Sequence, residues 1–433
     1  MRGPESNVSL IIRAEHPYTE EATVTKPVQQ RRHFIKQGVA LSAAAAAGGL
    51  GFPAIVRGQS GPIKVGILHP VTGPLAYSGQ LSRLGAQIAV DEINASGGIK
   101  SLGGAKIDAI YADAQSKPEV GVAEVEKMNE AGAAAIVGAY ASAICLATTQ
   151  AAAKHNIPHV VDVGVADQIV DRGLKNTFRF GPGYRVITTN GVNYFHILNT
   201  LAGKPAKTIM IIHEESLFGT GTANLLSQQL PGLGYQVVEV IKHANPTRDF
   251  NNIVLRMKAL NPDVVMPASY YNEYALLVRT MKQQNVQPKA VFSVLGGAAS
   301  SFKFVREFPE VADGLLDVNH WYNPKDRRAL ALRKKVEAMR DQYYTYEVFL
   351  NYQCVYLLAD AIERAKSRDR GAIIDALASS TWDKHFMPYG PTKFVNGQNQ
   401  GAAPLMMQVL KNDIRVVLPN TWAETQPVFP VRA

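Results

Sequence analysis

Apolar positions along this chain fall into two alternating rhythms. Short uninterrupted apolar runs are followed by longer stretches in which apolar residues recur three or four apart. The first rhythm predicts strands buried on both faces, the second amphipathic helices. Strands are expected at 63–68 (IKVGIL), 107–111, 134–137 and 159–163, with helices at 81–93, 118–129 and 144–154 between them. Pro118 suits the first turn of the second helix, where a missing N–H costs nothing. Asn94-Ala95-Ser96-Gly97-Gly98 stops the first. The rhythm then restarts. A helix at 185–201 leads into strands at 208–213, 236–242, 263–267 and 290–294, separated by helices at 219–230, 248–260 and 273–284. Such alternation implies parallel sheets with helices on both faces. No Pro/Gly/Ser linker parts the two units, so a close two-lobe body is expected.

Beyond Gly314 the pattern changes. A strand at 315–321 precedes two long helices at 325–343 and 347–365, a shorter one at 371–378, and β-like segments at 392–395, 404–411 and 414–418. This tail is too short and too helical for a third sheet domain, so it is expected to return and complete the first two.

Composition adds limits. The 433 residues are 46% hydrophobic and 19% charged, which places the chain among folded rather than disordered proteins. The net charge of +9 is spread without a basic block interleaved with aromatics, so there is no signature of nucleic-acid binding. Cys145 and Cys354 both lie in apolar helical stretches; they are too few for a disulfide framework and read as buried thiols. Arg31-Arg32-His33-Phe34-Ile35-Lys36, an uncharged Ala/Gly run and the polar exit Arg57-Gly58-Gln59-Ser60 read as a twin-arginine-like export signal. Residues 1–58 are therefore assigned as an N-terminal extension with a signal peptide, cleaved between Ala54 and Gly61 and lacking stable contacts with the rest. The expected location is the periplasm.

Ligands of open α/β sheets bind outside the carboxyl ends of the strands. Here those ends carry Thr72 to Gly79 with Tyr77 and Ser78, then Tyr140-Ala141-Ser142, Asp162-Val163-Gly164, Ser216-Leu217-Phe218, Ser269-Tyr270-Tyr271-Asn272 and Leu295-Gly296-Gly297. Aromatics, hydroxyls and small residues predominate, a lining suited to a small, partly apolar organic ligand. Catalytic signatures are weaker. No G-x-S-x-G elbow, Walker loop or G-x-G-x-x-G follows a strand. His155 and His159 have metal-like spacing, but Asn156-Ile157-Pro158 breaks any helix between them. No catalytic residue, metal or cofactor is assigned. Two alternatives stand beside a receptor for a small-molecule solute: an exported α/β enzyme using His69, His213 or Glu214, and a ligand sensor of the same fold.

Several segments, in order, carry a family likeness. Ile63-Lys64-Val65-Gly66-Ile67 with Thr72-Gly73-Pro74-Leu75-Ala76, Asp91 to Ile99, Val137-Gly138 with Ser142, Ser216 to Gly219, Thr247 to Phe250 and Tyr389-Gly390-Pro391 resemble the leucine/isoleucine/valine-binding proteins of ABC importers. The resemblance implies an α/β type I periplasmic binding fold: two Rossmann-like lobes with parallel sheets, joined by three crossover segments near 181–184, 320–323 and 395–400. The lobes would be 63–182 plus 323–395 and 183–320 plus 400–433. The partner it implies is an importer permease, and the solute an amino acid, aromatic acid or amide.

The same resemblance implies site residues. Ser142 falls where the family holds a ligand carboxylate, Gly164 near a backbone contact, and Phe218 with Tyr270 or Tyr271 at aromatic positions. Tyr140, two residues before Ser142, resembles the amide-sensing relatives. The family's acidic partner for an α-ammonium would fall near Gly296 and is absent, leaving Glu214, Glu215 and Asp113 as candidates at strand ends. Tyr77, Ser78, Ser142, Phe218 and Tyr271 are expected to line one cleft.

Overall fold

The computed structural model describes residues 61–431; the export signal assigned to 1–58 lies outside them. The chain opens with β1 (Ile63–His69), α1 (Ala76–Ala95), β2 (Ile107–Asp113), α2 (Pro118–Glu130), β3 (Ala135–Gly138), α3 (Ser142–Lys154), β4 (His159–Val161) and β5 (Thr177–Arg179). The second round comprises α4 (Tyr184–Leu201), β6 (Thr208–Glu214), α5 (Leu217–Gln229), β7 (Gln236–His243), α6 (Asn251–Leu260), β8 (Val264–Ala268), α7 (Tyr271–Gln283), β9 (Ala290–Val294), α8 (Phe302–Glu307), α9 (Pro309–Ala312) and β10 (Leu316–Asn319). The tail adds α10 (Arg327–Glu337), α11 (Tyr346–Ala365), α12 (Arg370–Ala378), β11 (Phe394–Val395), β12 (Gln398–Asn399), β13 (Leu405–Leu410) and β14 (Asp413–Leu418).

These strands form two seven-stranded sheets, ordered β11-β12-β5-β4-β3-β1-β2 and β14-β13-β10-β9-β8-β6-β7. Pairing is parallel through β2, β1, β3, β4 and β5 in one and through β7, β6, β8, β9 and β10 in the other. The tail strands finish each sheet with antiparallel pairs, β11 with β12 and β13 with both β10 and β14. Central strands such as β1 are buried almost end to end, which is why they read as unbroken apolar runs. β5 was not expected. It is only three residues long and contains the buried Arg179, so it lacks the apolar signature of its neighbours.

The helices differ from expectation mostly at their ends. α1 begins at Ala76 rather than 81, and α10 ends at Glu337, short of the expected 343. Asp326 and Asp369 cap α10 and α12, their carboxylates accepting the N–H of Arg328 and Ala372. α10 touches both lobes. Lys335 pairs with Glu92 on α1 at 2.7 Å, while the Arg333 guanidinium lies 4.0 Å from the Phe302 ring centre and Arg306 reaches Glu337 at 3.1 Å.

The passages between sheets lie against one another. Arg179 donates to Gln398 Oε1 at 2.7 Å, and Gln398 Nε2 donates to the Gly181 carbonyl at 3.0 Å. Asn399 donates to the Phe180 carbonyl at 3.0 Å. Cys145 and Cys354 are buried free thiols on α3 and α11.

Two buried aspartates pin strand ends. Asp162, just past β4, accepts the Tyr140 N–H at 3.0 Å and faces His69 Nε2 at 3.1 Å; that nitrogen also lies 2.8 Å from Asn351 Oδ1. Burial opposes charge on Asp162, but the bonds from His69 and the Tyr140 backbone outweigh it and hold the carboxyl below its ordinary range. Asp317 on β10 accepts from Gly296 N at 2.8 Å, from Asn319 Nδ2 at 3.1 Å and from the Ser300 hydroxyl. There burial dominates, and the carboxyl is pushed up to about 6.

Two outcomes follow from this packing. α1 and α11 cross at Gly85, where a Cβ would sit 2.0 Å from the Val348 carbonyl oxygen. Alanine gains about 1 kcal/mol of helix propensity over glycine, but a backbone clash of this depth outweighs it. Gly85→Ala should therefore lower stability to urea by about 2 kcal/mol net, and an unchanged or raised midpoint would contradict this crossing. Asp317, with its folded pKa raised, contributes stability that is complete below its unfolded value and is lost as pH rises through about 6. Asp317→Asn mimics the protonated form. Relative to this variant, the wild type should lose up to about 3 kcal/mol between pH 4 and pH 7.5, read from urea unfolding at stepped pH. A constant difference would contradict the buried placement.

Candidate functional site

The carboxyl ends of both sheets converge on one narrow cavity of about 30 Å³ between the lobes. From the first lobe come Tyr140, Ala141, Ser142, Val163, Val165 and Tyr346; from the second, Phe218, Ser269, Tyr270, Leu295, Asn319 and His320. None of these side chains carries a full charge.

Each polar group in this lining is held by something behind it. Ser142 opens α3, and its Oγ accepts the N–H of Val165 at 3.1 Å and of Ala166 at 3.2 Å. The hydroxyl proton is left to donate into the cavity. Among the described residues no side chain caps the first turn of α3, so the positive end of this thirteen-residue helix faces the same space. Tyr140 adopts a left-handed backbone (φ 64°) fixed by Asp162. Its ring lies 5.9 Å from Tyr270, which in turn lies 5.1 Å from Phe218. Burial drives the phenols of Tyr140, Tyr270 and Tyr346 far above their ordinary range, so they remain neutral.

Four of the eight expected site residues line the cavity: Tyr140, Ser142, Phe218 and Tyr270. The other four are placed elsewhere. Tyr77 and Tyr271 pack on each other with ring centres 4.4 Å apart, joining α1 of one lobe to α7 of the other. Tyr77 also reaches Ser301 Oγ at 3.4 Å, and Asn272 donates to the Pro74 carbonyl at 3.2 Å. These contacts join the two lobes rather than face the cavity. Ser78 is buried beside the Tyr140 hydroxyl and the Glu347 carboxyl. Gly164 packs against α3, where a Cβ would meet Cys145 Sγ at 2.7 Å.

The acidic candidates do not reach the lining. Asp113 accepts from Val71 N, Thr72 N, the Thr72 hydroxyl and Gln115 N. Glu214 accepts from the Ser216 N–H and hydroxyl and from Gly219 N, tying it to the start of α5. Glu215 is exposed and absent from the cavity wall. Gly296 has no room for an acid, since a Cβ would lie 2.4 Å from Ser293 Oγ. The histidines weighed for chemistry are likewise engaged away from the cavity: His69 with Asp162 and Asn351, His213 with its neighbour's carbonyl, His155 with Glu126 and His159 with Thr148.

Several lining residues were not among the expected site residues. Val163, Ser269 and Leu295 sit at strand ends already singled out, so the strand-end rule could have found them. Asn319 and His320 were obscured because β10 was expected to run on to residue 321; it stops at Asn319. Tyr346 opens α11 and arrives from the returning tail, a placement with no local signal.

Comparison with known proteins agrees with this architecture. A family model described as periplasmic binding protein matches residues 62–413. Leu/Ile/Val-binding protein homolog 7 of Brucella suis biovar 1 is 28% identical over 382 residues, covering 86% of this chain and 95% of that protein. Homolog 8 of Brucella abortus is 29% identical over 374 residues, covering 83% and 91%. Among solved structures, the leucine binding protein LivK of Thermotoga maritima superposes with a TM-score of 0.71 at 21% identity, covering 82% of this chain and 97% of that one. The branched-chain amino acid transporter substrate binding protein LivJ of Streptococcus pneumoniae, in complex with isoleucine, gives 0.71 at 22% identity, covering 83% and 100%. At such identities these structures share the fold. With the family model spanning all but the last strand of the two sheets and the cavity between them, the chain belongs to the periplasmic binding protein family.

Proposed function

We propose that this chain, a substrate-binding protein of the branched-chain-amino-acid importer type, closes its lobes over a small organic solute that lacks an α-ammonium group. The observation that carries the reading is the lining: four aromatic rings, two serine hydroxyls and no charged side chain. An ammonium enclosed there would lose its water without gaining an anion, a penalty of several kcal/mol. A carbonyl or carboxylate fares better, because the Ser142 proton and the uncapped start of α3 both favour electron-rich oxygen. An aromatic or branched apolar body then rests among Tyr140, Phe218 and Tyr270. Aromatic monocarboxylates, amides and modified amino acids without a free ammonium are the classes that fit.

The rest of the role follows from the family and the N-terminus. The Arg31-Arg32 signal directs export by the twin-arginine route, the mature protein works in the periplasm, and its partner is the permease of an ABC importer. A binding rather than catalytic role is supported by the cavity wall, which His69, His213 and Glu214 do not reach.

Calorimetry on ligand-stripped protein tests the solute class. Benzoate, hydroxybenzoates and short amides should include a measurable binder, while leucine, isoleucine and valine bind weakly or not at all. Tight leucine binding would contradict the reading. With the binder in hand, Ser142→Ala should weaken binding by about 1–3 kcal/mol, the usual worth of a hydrogen bond to a charged group. An unchanged Kd would remove Ser142 from the site.

A further inference from the structure

We infer that His320 is a hydrogen-bonding anchor of the cavity that selects solutes bearing a hydroxyl group; the inference rests on the cleft being the solute site. His320 follows β10 directly and lines the cavity with only 1% of its surface exposed. Among the described residues, neither ring nitrogen has a hydrogen-bond partner. Other buried histidines differ in this respect. His69 and His159 each leave Nδ1 unpaired, but their Nε2 atoms are bonded, and neither lines the cavity.

The surroundings of the ring crowd one edge of it. Gly181 of the first passage between lobes packs against that edge, since a Cβ there would lie 2.9 Å from His320 Cε1 and 3.1 Å from Nδ1. The Tyr346 ring centre is 6.2 Å away, and the Val163 backbone runs alongside without hydrogen-bond geometry. Its neighbour Asn319 donates one amide N–H to Asp317 at 3.1 Å and accepts the His320 N–H at 2.8 Å, which leaves it one N–H. At this end of the cavity the imidazole, with no bond to the described residues, is the polar group with the most bonding capacity left.

The ring is also neutral. Burial, with Arg179 adding to it and Asp162 opposing it, presses its pKa down to about 3. A neutral imidazole offers one donor and one acceptor in its plane. A carboxylate can satisfy only the donor, whereas a hydroxyl can donate to the acceptor nitrogen or accept from the N–H. A solute that leaves this buried group unpaired is disfavoured by its desolvation, which is how a polar site rejects an analogue lacking one hydroxyl.

The test uses matched pairs that differ by one hydroxyl. Benzoate with 3- and 4-hydroxybenzoate, and 4-methylpentanoate with 2-hydroxy-4-methylpentanoate, are titrated into wild type, His320→Leu and His320→Gln by calorimetry, with folding checked by circular dichroism. In whichever pair binds, the wild type should prefer a hydroxylated member by about tenfold or more, and His320→Leu should shrink that preference to about twofold or less. His320→Gln, which keeps a donor and an acceptor, should retain part of it and carries the test if the leucine variant fails to fold. Binding without a hydroxyl preference in the wild type, or a preference that survives in His320→Leu, overturns the role of His320 alone. A panel in which nothing binds overturns the solute class and this inference together.

Discussion

A carboxylate buried behind a strand end, accepting a backbone N–H, is the interaction on which this cleft depends. Asp162 holds Tyr140 in its left-handed turn, Asp317 holds the loop at Gly296, and Glu214 holds the start of α5 beside Phe218. A parallel sheet ends in loops whose backbone donors have lost their ladder partners, and leaving them unpaired in a dry interior is costly. Acids placed just behind the loops satisfy those donors. Their charge is used on the protein's own backbone, so the surface turned to the ligand can be neutral. In this chain Asp162, Asp317 and Glu214 are bonded to the backbone behind the cavity wall.

A second group of contacts spans the two lobes. Tyr77 against Tyr271, and Asn272 on the Pro74 carbonyl, join the lobes away from the cavity wall. The passages between lobes are bound to one another through Arg179, Gln398, Asn399 and Gly181. Arg179 is a fully buried cation, tolerable because it also donates to the Ala166 carbonyl at 2.6 Å and faces Asp167 at 3.4 Å. This places the joined passages beside His320 and the Tyr77–Tyr271 contact on α1 and α7.

The fold was largely legible because parallel strands buried on both faces write unbroken apolar runs, and their helices write a period near 3.6. The exceptions have physical causes. β5 hides because Arg179 interrupts its apolar run, and α1 begins early because Tyr77, Ser78 and Gly79 look like a turn but pack as a helix. The cavity was legible where strand ends were legible, hence Tyr140, Ser142, Phe218 and Tyr270. It was not legible at Tyr346, brought in by the returning tail, nor at His320, whose strand was expected to continue past it. Ser78 and Gly164 have suitable chemistry and position along the chain, yet face other protein atoms, a distinction that only packing draws.

The central claim is that one uncharged cavity between the lobes receives the solute. A crystal structure of the ligand-stripped protein soaked with the tightest binder addresses it most directly. One solute should lie in the space bounded by Ser142, Phe218, Tyr270 and His320, with its electron-rich oxygen at the start of α3 and no acidic side chain in contact. A solute bound outside that space, or one whose cationic group meets Glu214, Glu347 or Asp317 drawn into the cavity, would contradict it.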